Sequence, residues 1–148
     1  MPTVSAKPCR VLILRMEAKA SDALEHALAG LGAETTVDDS CATSVAEALE
    51  PDVVVIDIDG AGRDAERIAS QFADAVPQSA IILLSDHVDD AAMHDALLAG
   101  AAGVLRRDVS ARALSRTVYG VAAGEAAVPR STQAMLLEQL RGLGDDFR

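Results

Sequence analysis

The chain has no tryptophan, one tyrosine and two phenylalanines among 148 residues. Half of its residues are nonetheless hydrophobic. A single domain of this length can bury a sizeable core, and here the core has to be assembled from Ala, Val, Leu and Ile instead of rings. Cysteine is also scarce. Cys9 and Cys41 are too few for a disulfide framework and form no metal-ligand spacing, so they read as ordinary buried or surface thiols. No apolar run approaches the roughly 20 residues of a membrane helix. The opening MPTVSAKPCR lacks the apolar segment of a signal peptide. These absences predict a cytoplasmic protein with no membrane partner. Positive charge is in short supply too: 13 Lys and Arg stand against 23 Asp and Glu, a net charge of -10. That balance argues against coating nucleic acid or anionic lipid.

What is present is an alternation of apolar runs and helical patterns. CRVLIL (9–14) reads as a buried strand. Ala20, Ala23, Leu24, Ala27, Leu28 and Leu31 then recur at helical spacing, with Gly32 as the stop. AETTV (33–37) is a weaker strand, and Ser44 with Glu47 has the spacing of a capping box for a short helix ending before Pro51. DVVVID (52–57) is the strongest strand. Ala65, Ile68, Ala69, Phe72 and Val76 mark a helix stopped by Pro77. AIILLS (80–85) is a strand, 89–99 a helix closed by Gly100, GVLR (103–106) a short strand, and 110–122 a helix with Leu114, Val118 and Val121 inside.

Five strand–helix units predict an α/β domain, a (βα)5 doubly wound parallel sheet of flavodoxin/CheY-like order 2-1-3-4-5. In such a sheet, sites lie at the carboxyl ends of the strands. Those ends are Arg15-Met16-Glu17, Asp57-Ile58-Asp59, Ser85-Asp86-His87 and Arg106-Arg107-Asp108. The expected layout is a tail over 1–8, a domain over 9–124, and a linker with an added helix (131–141) over 125–148, leading toward an output domain. His26 and His94 read as solvated helix residues and His87 as a loop residue. Asp89, Asp90 and Asp95 suit the start of a helix, a capping role, better than a metal. Arg106, Arg107, Arg112 and Arg116 read as a solvated face or an interaction surface.

Two resemblances meet at VVVIDIDG (53–60). Its Asp-x-Asp-Gly spelling is similar to the first motif of haloacid-dehalogenase-type phosphatases. That resemblance implies Asp57 as nucleophile, Asp59 as general acid, Ser85 as the second motif's hydroxyl and Arg107 as the basic third. In that family, however, the motif usually opens the chain, and here it lies on the third strand. The second resemblance covers residues 9–124, which resemble the receiver domain of response regulators. The strand–helix order, an acceptor Asp57 on the third strand, Ser85 at the end of the fourth and AGAAGVLRRD (99–108) all carry it. VYGVAAGEAAVP (118–129) is similar to regulators of the NarL/FixJ type. This resemblance implies signalling without enzymatic turnover, a homodimer, a histidine kinase or other signalling protein as partner, and DNA only through an output domain.

The chain departs from receivers at the site itself. Receivers carry two acids after the first strand that hold magnesium; here Arg15 and Met16 stand there, and Glu17 comes one position late. Magnesium wants hard oxygen ligands, whereas a guanidinium offers only donors and fixed charge. Asp86 follows Ser85 where a small residue is usual, Arg107 replaces the phosphate-contacting lysine, and Val104 replaces the aromatic switch. The expectation is a site without a resident cofactor. Arg15 and Arg107 would neutralise Asp57 directly, with Asp86 or Asp59 joining, and the domain would signal independently of magnesium-dependent phosphorylation. The alternatives are an Arg15 that points into solvent, a conventional phosphoacceptor at Asp57, and a small phosphatase.

Overall fold

A computed structural model describes residues 9–60, 64–86 and 89–123. Five strands, β1 (Arg10–Leu14), β2 (Glu34–Asp38), β3 (Val53–Asp57), β4 (Ala80–Leu84) and β5 (Gly103–Leu105), form one sheet in the order β2-β1-β3-β4-β5. All neighbouring pairs are parallel. The helices are α1 (Ala18–Ala29), α2 (Thr43–Leu49), α3 (Ala65–Ala75), α4 (Asp90–Leu98) and α5 (Ala111–Ala122). This is the architecture that the alternation of patterns predicts.

Alternation along each strand divides the core between two faces. Leu12, Leu14, Val54, Ile56, Ile81 and Leu83 pack with Ala46, Ile68, Phe72 and Ala96, from α2, α3 and α4. Val11, Ile13, Val53, Val55, Ile82 and Leu84 pack with Leu24, Leu28, Leu114 and Val118, from α1 and α5. Every residue of β3 is buried, so this strand runs through the middle of both layers and delivers Asp57 to the edge of the core. β2 lies at the sheet edge, and its run of threonines is exposed or half-buried.

Several helix ends differ from the sequence reading. α1 ends at Ala29 with Gly30 as its cap, not at Gly32. Leu31 N–H and Gly32 N–H donate to Leu28 O and Ala29 O in a tight turn, and Gly32 takes φ 86° within it. Leu31 is consequently half-exposed, and Ala20 and Ala23 also face solvent. The inner face of α1 is Ser21, Leu24 and Leu28. The Ser44–Glu47 capping box does not form: α2 starts at Thr43 with Ala42 as an uncapped N-cap, which places Ser44 inside the first turn. Side-chain caps do form at Asp64, Asp89 and Ser110, each accepting from the backbone N–H three residues on. Gly100 has φ 122°, and a Cβ there would meet the Cβ of Ala73 at 2.6 Å, so only glycine lets the end of α4 lie against α3. The tail (1–8) and the linker with its added helix (125–148) lie outside the described residues.

Candidate functional site

β3 stops at Asp57 and turns at once into a 3-10 turn, Ile58–Gly60. Ile58 is fully buried and anchors this turn. The turn swings Asp59 back toward the end of β4, so Asp57 and Asp59 face one corner shared by β3, β4 and β5. Asp59 N–H closes the turn by donating to Asp57 Oδ1 at 3.1 Å.

Both carboxylates are nearly sealed: the side chains of Asp57 and Asp59 are 5% and 7% exposed. Buried carboxylates need partners. Arg107, just past β5, donates Nε–H to Asp57 Oδ2 at 2.9 Å and places Nη1 3.8 Å from Asp59 Oδ2. Ser85 Oγ–H, at the end of β4, donates to Asp59 Oδ1. Asp86 N–H donates to Asp59 Oδ2 at 3.1 Å. The Asp86 carboxylate in turn accepts from Arg107 N–H at 3.2 Å, which ties the ends of β4 and β5 together. The Arg107 guanidinium is held further above its ordinary range, chiefly by the charge of Asp57 and its hydrogen bond, with Asp59 and Asp86 contributing. Three carboxylates against one guanidinium leave this group of side chains at -3 + 1 = -2.

The first corner is built otherwise. Arg15 follows β1 with φ 62°, a left-handed conformation unusual for a residue with a Cβ. Its N–H donates to Asp38 O at 3.1 Å and its Nη1 to Asp39 O at 2.8 Å. Its side chain is therefore engaged at the end of β2. Its charge also reaches Cys41, where it partly offsets the upward push of burial on that thiol. The ion pair on Asp57 comes from Arg107. Met16 is half-buried and packs with the α1–α5 layer. Glu17 is the exposed N-cap of α1 and gives no side-chain cap, its carbonyl accepting from Ser21 N–H at 2.9 Å.

The structure thus brings Asp57, Asp59, Ser85, Asp86 and Arg107 together, and directs Arg15, Met16 and Glu17 elsewhere in the contacts described above. Among the described residues, no group of three or more His, Cys, Asp and Glu is placed to hold a metal ion. Arg15 supplies donors and Met16 an apolar stem where receivers have acids, so the donor set at the end of β1 does not suit magnesium.

His26 is exposed, as its charged neighbourhood suggests. His94 is not a solvated residue: it is half-buried, and its Nδ1 is shielded without a hydrogen-bond partner. The packing of α4 on α3, which the sequence pattern of α4 alone does not reveal, accounts for this. His87 lies outside the described residues. Sequence reading also missed Tyr119, whose hydroxyl donates to Leu31 O at 2.7 Å and ties α5 to the turn after α1.

No family model matches the chain. Among curated proteins it is 34% identical over 113 residues to the DNA-binding transcriptional activator DevR/DosR of Mycobacterium tuberculosis, covering 70% of this chain and 51% of that protein. It is 28% identical over 106 residues to the transcriptional regulatory protein LnrK of Bacillus subtilis, covering 68% of this chain and 48% of that one. Among solved structures it is similar to the signal receiver domain of a NarL response regulator from Mycobacterium tuberculosis. That match has a TM-score of 0.69 and 25% identity, over 81% of this chain and all of the other. The chain carries a response-regulator receiver domain. A LuxR-family two-component response regulator from Aurantimonas shares the fold, with a TM-score of 0.70 at 17% identity, over 90% of this chain and 98% of that one. The receiver spans about half the length of the curated relatives it matches. Between the two resemblances read from the Asp-x-Asp-Gly motif, these relatives decide for the receiver. No helix among its described residues is long and apolar enough to cross a membrane.

Proposed function

We propose that this receiver signals through protein–protein contacts and without magnesium-dependent phosphorylation of Asp57. The observation that carries this reading is the Arg107–Asp57 ion pair at 2.9 Å on a carboxylate that is 5% exposed. A phosphoryl group on Asp57 would have to displace that guanidinium from Oδ2, or take a place among two further carboxylates with a net charge already negative. The cation that normally offsets such charge lacks its acidic ligands after β1, where Arg15 and Met16 stand. A fixed guanidinium beside the acceptor instead holds the corner in one electrostatic state.

The partners in this reading are a second copy of the chain and a histidine kinase or another signalling protein. The relative DevR/DosR is by name a DNA-binding transcriptional activator. By that analogy, contact with DNA belongs to an output domain and not to this acidic receiver.

The test is an amide NMR titration of the chain with magnesium and beryllofluoride, which mimics a phosphoryl group on aspartate. The expected result is no saturable shift at Asp57 or Ser85. A stoichiometric, magnesium-dependent adduct at Asp57 would establish a conventional phosphoacceptor and overturn the reading.

A further inference from the structure

Ser85 Oγ–H, Asp86 N–H and the Arg107 guanidinium converge on one point, from the ends of two strands. Convergent donors of this kind, with a cation among them, are what a small oxyanion requires. Here they converge on the carboxylate of Asp59. Ser85 addresses Oδ1, while Asp86 N–H at 3.1 Å and Arg107 Nη1 at 3.8 Å address Oδ2. Asp59 is delivered there by the 3-10 turn and held by its own N–H on Asp57.

We propose that Asp59 is a tethered occupant of an oxyanion seat formed by Ser85, the Asp86 amide and Arg107, and that its carboxylate excludes free tetrahedral oxyanions such as inorganic phosphate. The inference rests on the phosphorylation-independent reading and gives it a cause inside the chain. A tethered carboxylate needs no association from solution, so it competes with a free anion at high effective concentration. It also adds its own charge: with Asp59 ionised the group of side chains stands at -2, and without that carboxylate at -2 + 1 = -1. Both effects oppose entry of a dianion, and both are removed by one substitution. The backbone N–H of Asp59, which closes the turn on Asp57, survives that substitution.

The experiment is a titration of the chain and its Asp59→Ala variant with inorganic phosphate. It is run without magnesium and at constant ionic strength, reading the amides of Ser85 and Asp86. Phosphate should bind Asp59→Ala at least about tenfold more tightly than the unmodified chain, a difference of about 1.4 kcal/mol. Adding Arg107→Gln to Asp59→Ala should abolish the gain. Asp59→Asn keeps the volume and one acceptor oxygen, so it should bind with intermediate affinity; it also serves if Asp59→Ala loses its dispersed spectrum. Equal phosphate affinity in the unmodified chain and a folded variant overturns the proposal, as does a gain that survives Arg107→Gln. The beryllofluoride titration is separate: an adduct there overturns the phosphorylation-independent reading, whereas the ordering of phosphate affinities tests the seat.

Discussion

Two corners at the carboxyl edge of the sheet solve the same problem in opposite ways. At the ends of β3, β4 and β5, Arg107 lies against sealed carboxylates and every polar group is answered by another element. At the ends of β1 and β2, Arg15 reaches a backbone carbonyl from an exposed position. The same residue type does different work because burial differs. A guanidinium facing a buried carboxylate answers a charge that water cannot reach, whereas one at the surface exchanges one polar partner for another. Replacing acids by Arg15 and Met16 therefore changes the site chiefly by what it removes from the end of β1. The active electrostatics lie on the other side of β3.

The sharpest way to break this comparison is Arg107→Met. It leaves Asp57 buried without its cation, at an expected cost of about 2 kcal/mol. The figure sits below that for fully buried pairs because the Arg107 side chain is 39% exposed. Urea denaturation measures it, and a loss no larger than that of Arg15→Met would erase the distinction between the corners. Ser85→Ala comes next, at about 1 kcal/mol, because it takes one donor from Asp59 and leaves the Asp86 amide in place. If Ser85→Ala proves harmless while Arg107→Met does not, the seat is held by charge alone.

How much of this was legible in the sequence follows the same division. The run of β-branched residues before Asp57 marks a strand buried on both faces, and the alternating units fix the strand order, because parallel crossovers leave few topologies. Ser85, Asp86 and Arg107 were legible as corner residues for that reason. Their pairing was not. Whether a guanidinium at the end of β1 or of β5 reaches Asp57 depends on backbone direction after each strand, and Arg15 leaves β1 with φ 62° although neither glycine nor asparagine signals it. The union of Asp59 with Ser85 depends likewise on the 3-10 turn, which Asp-x-Asp-Gly spells no more clearly than it spells a phosphatase motif. The capping pattern at Ser44 misled because a local match cannot say which residue begins the helix.

Arg15→Gly sharpens the comparison from the weak side. Glycine relieves the left-handed conformation, a gain of about 1 kcal/mol. The lost hydrogen bond to Asp39 O costs about as much. Stability should then stay within about 0.5 kcal/mol of the unmodified chain. A clear loss, measured by the same denaturation, would mean that Arg15 supports the fold in a way its exposed position does not suggest.

The smallest effect belongs to Asp38, at the end of β2. Its carboxyl is held below the ordinary value of 3.8 by hydrogen bonds from Ser40, and the Ser40 N–H lies at 2.8 Å. A folded-state value below the unfolded one means that the unfolded chain binds the proton more readily. Stability from this group is therefore present above 3.8 and is lost as pH falls through the lowered value. Because Asp38 is solvent-accessible, the loss should be slight. Asp38→Asn cannot titrate, so the difference in melting temperature between it and the unmodified chain should shrink between about pH 6 and about pH 3. A difference that stays constant over that interval would show that the Ser40 hydrogen bonds do not distinguish the folded from the unfolded carboxyl. The contrast between a surface corner and a sealed one would then be larger than the hydrogen bonds at Asp38 indicate.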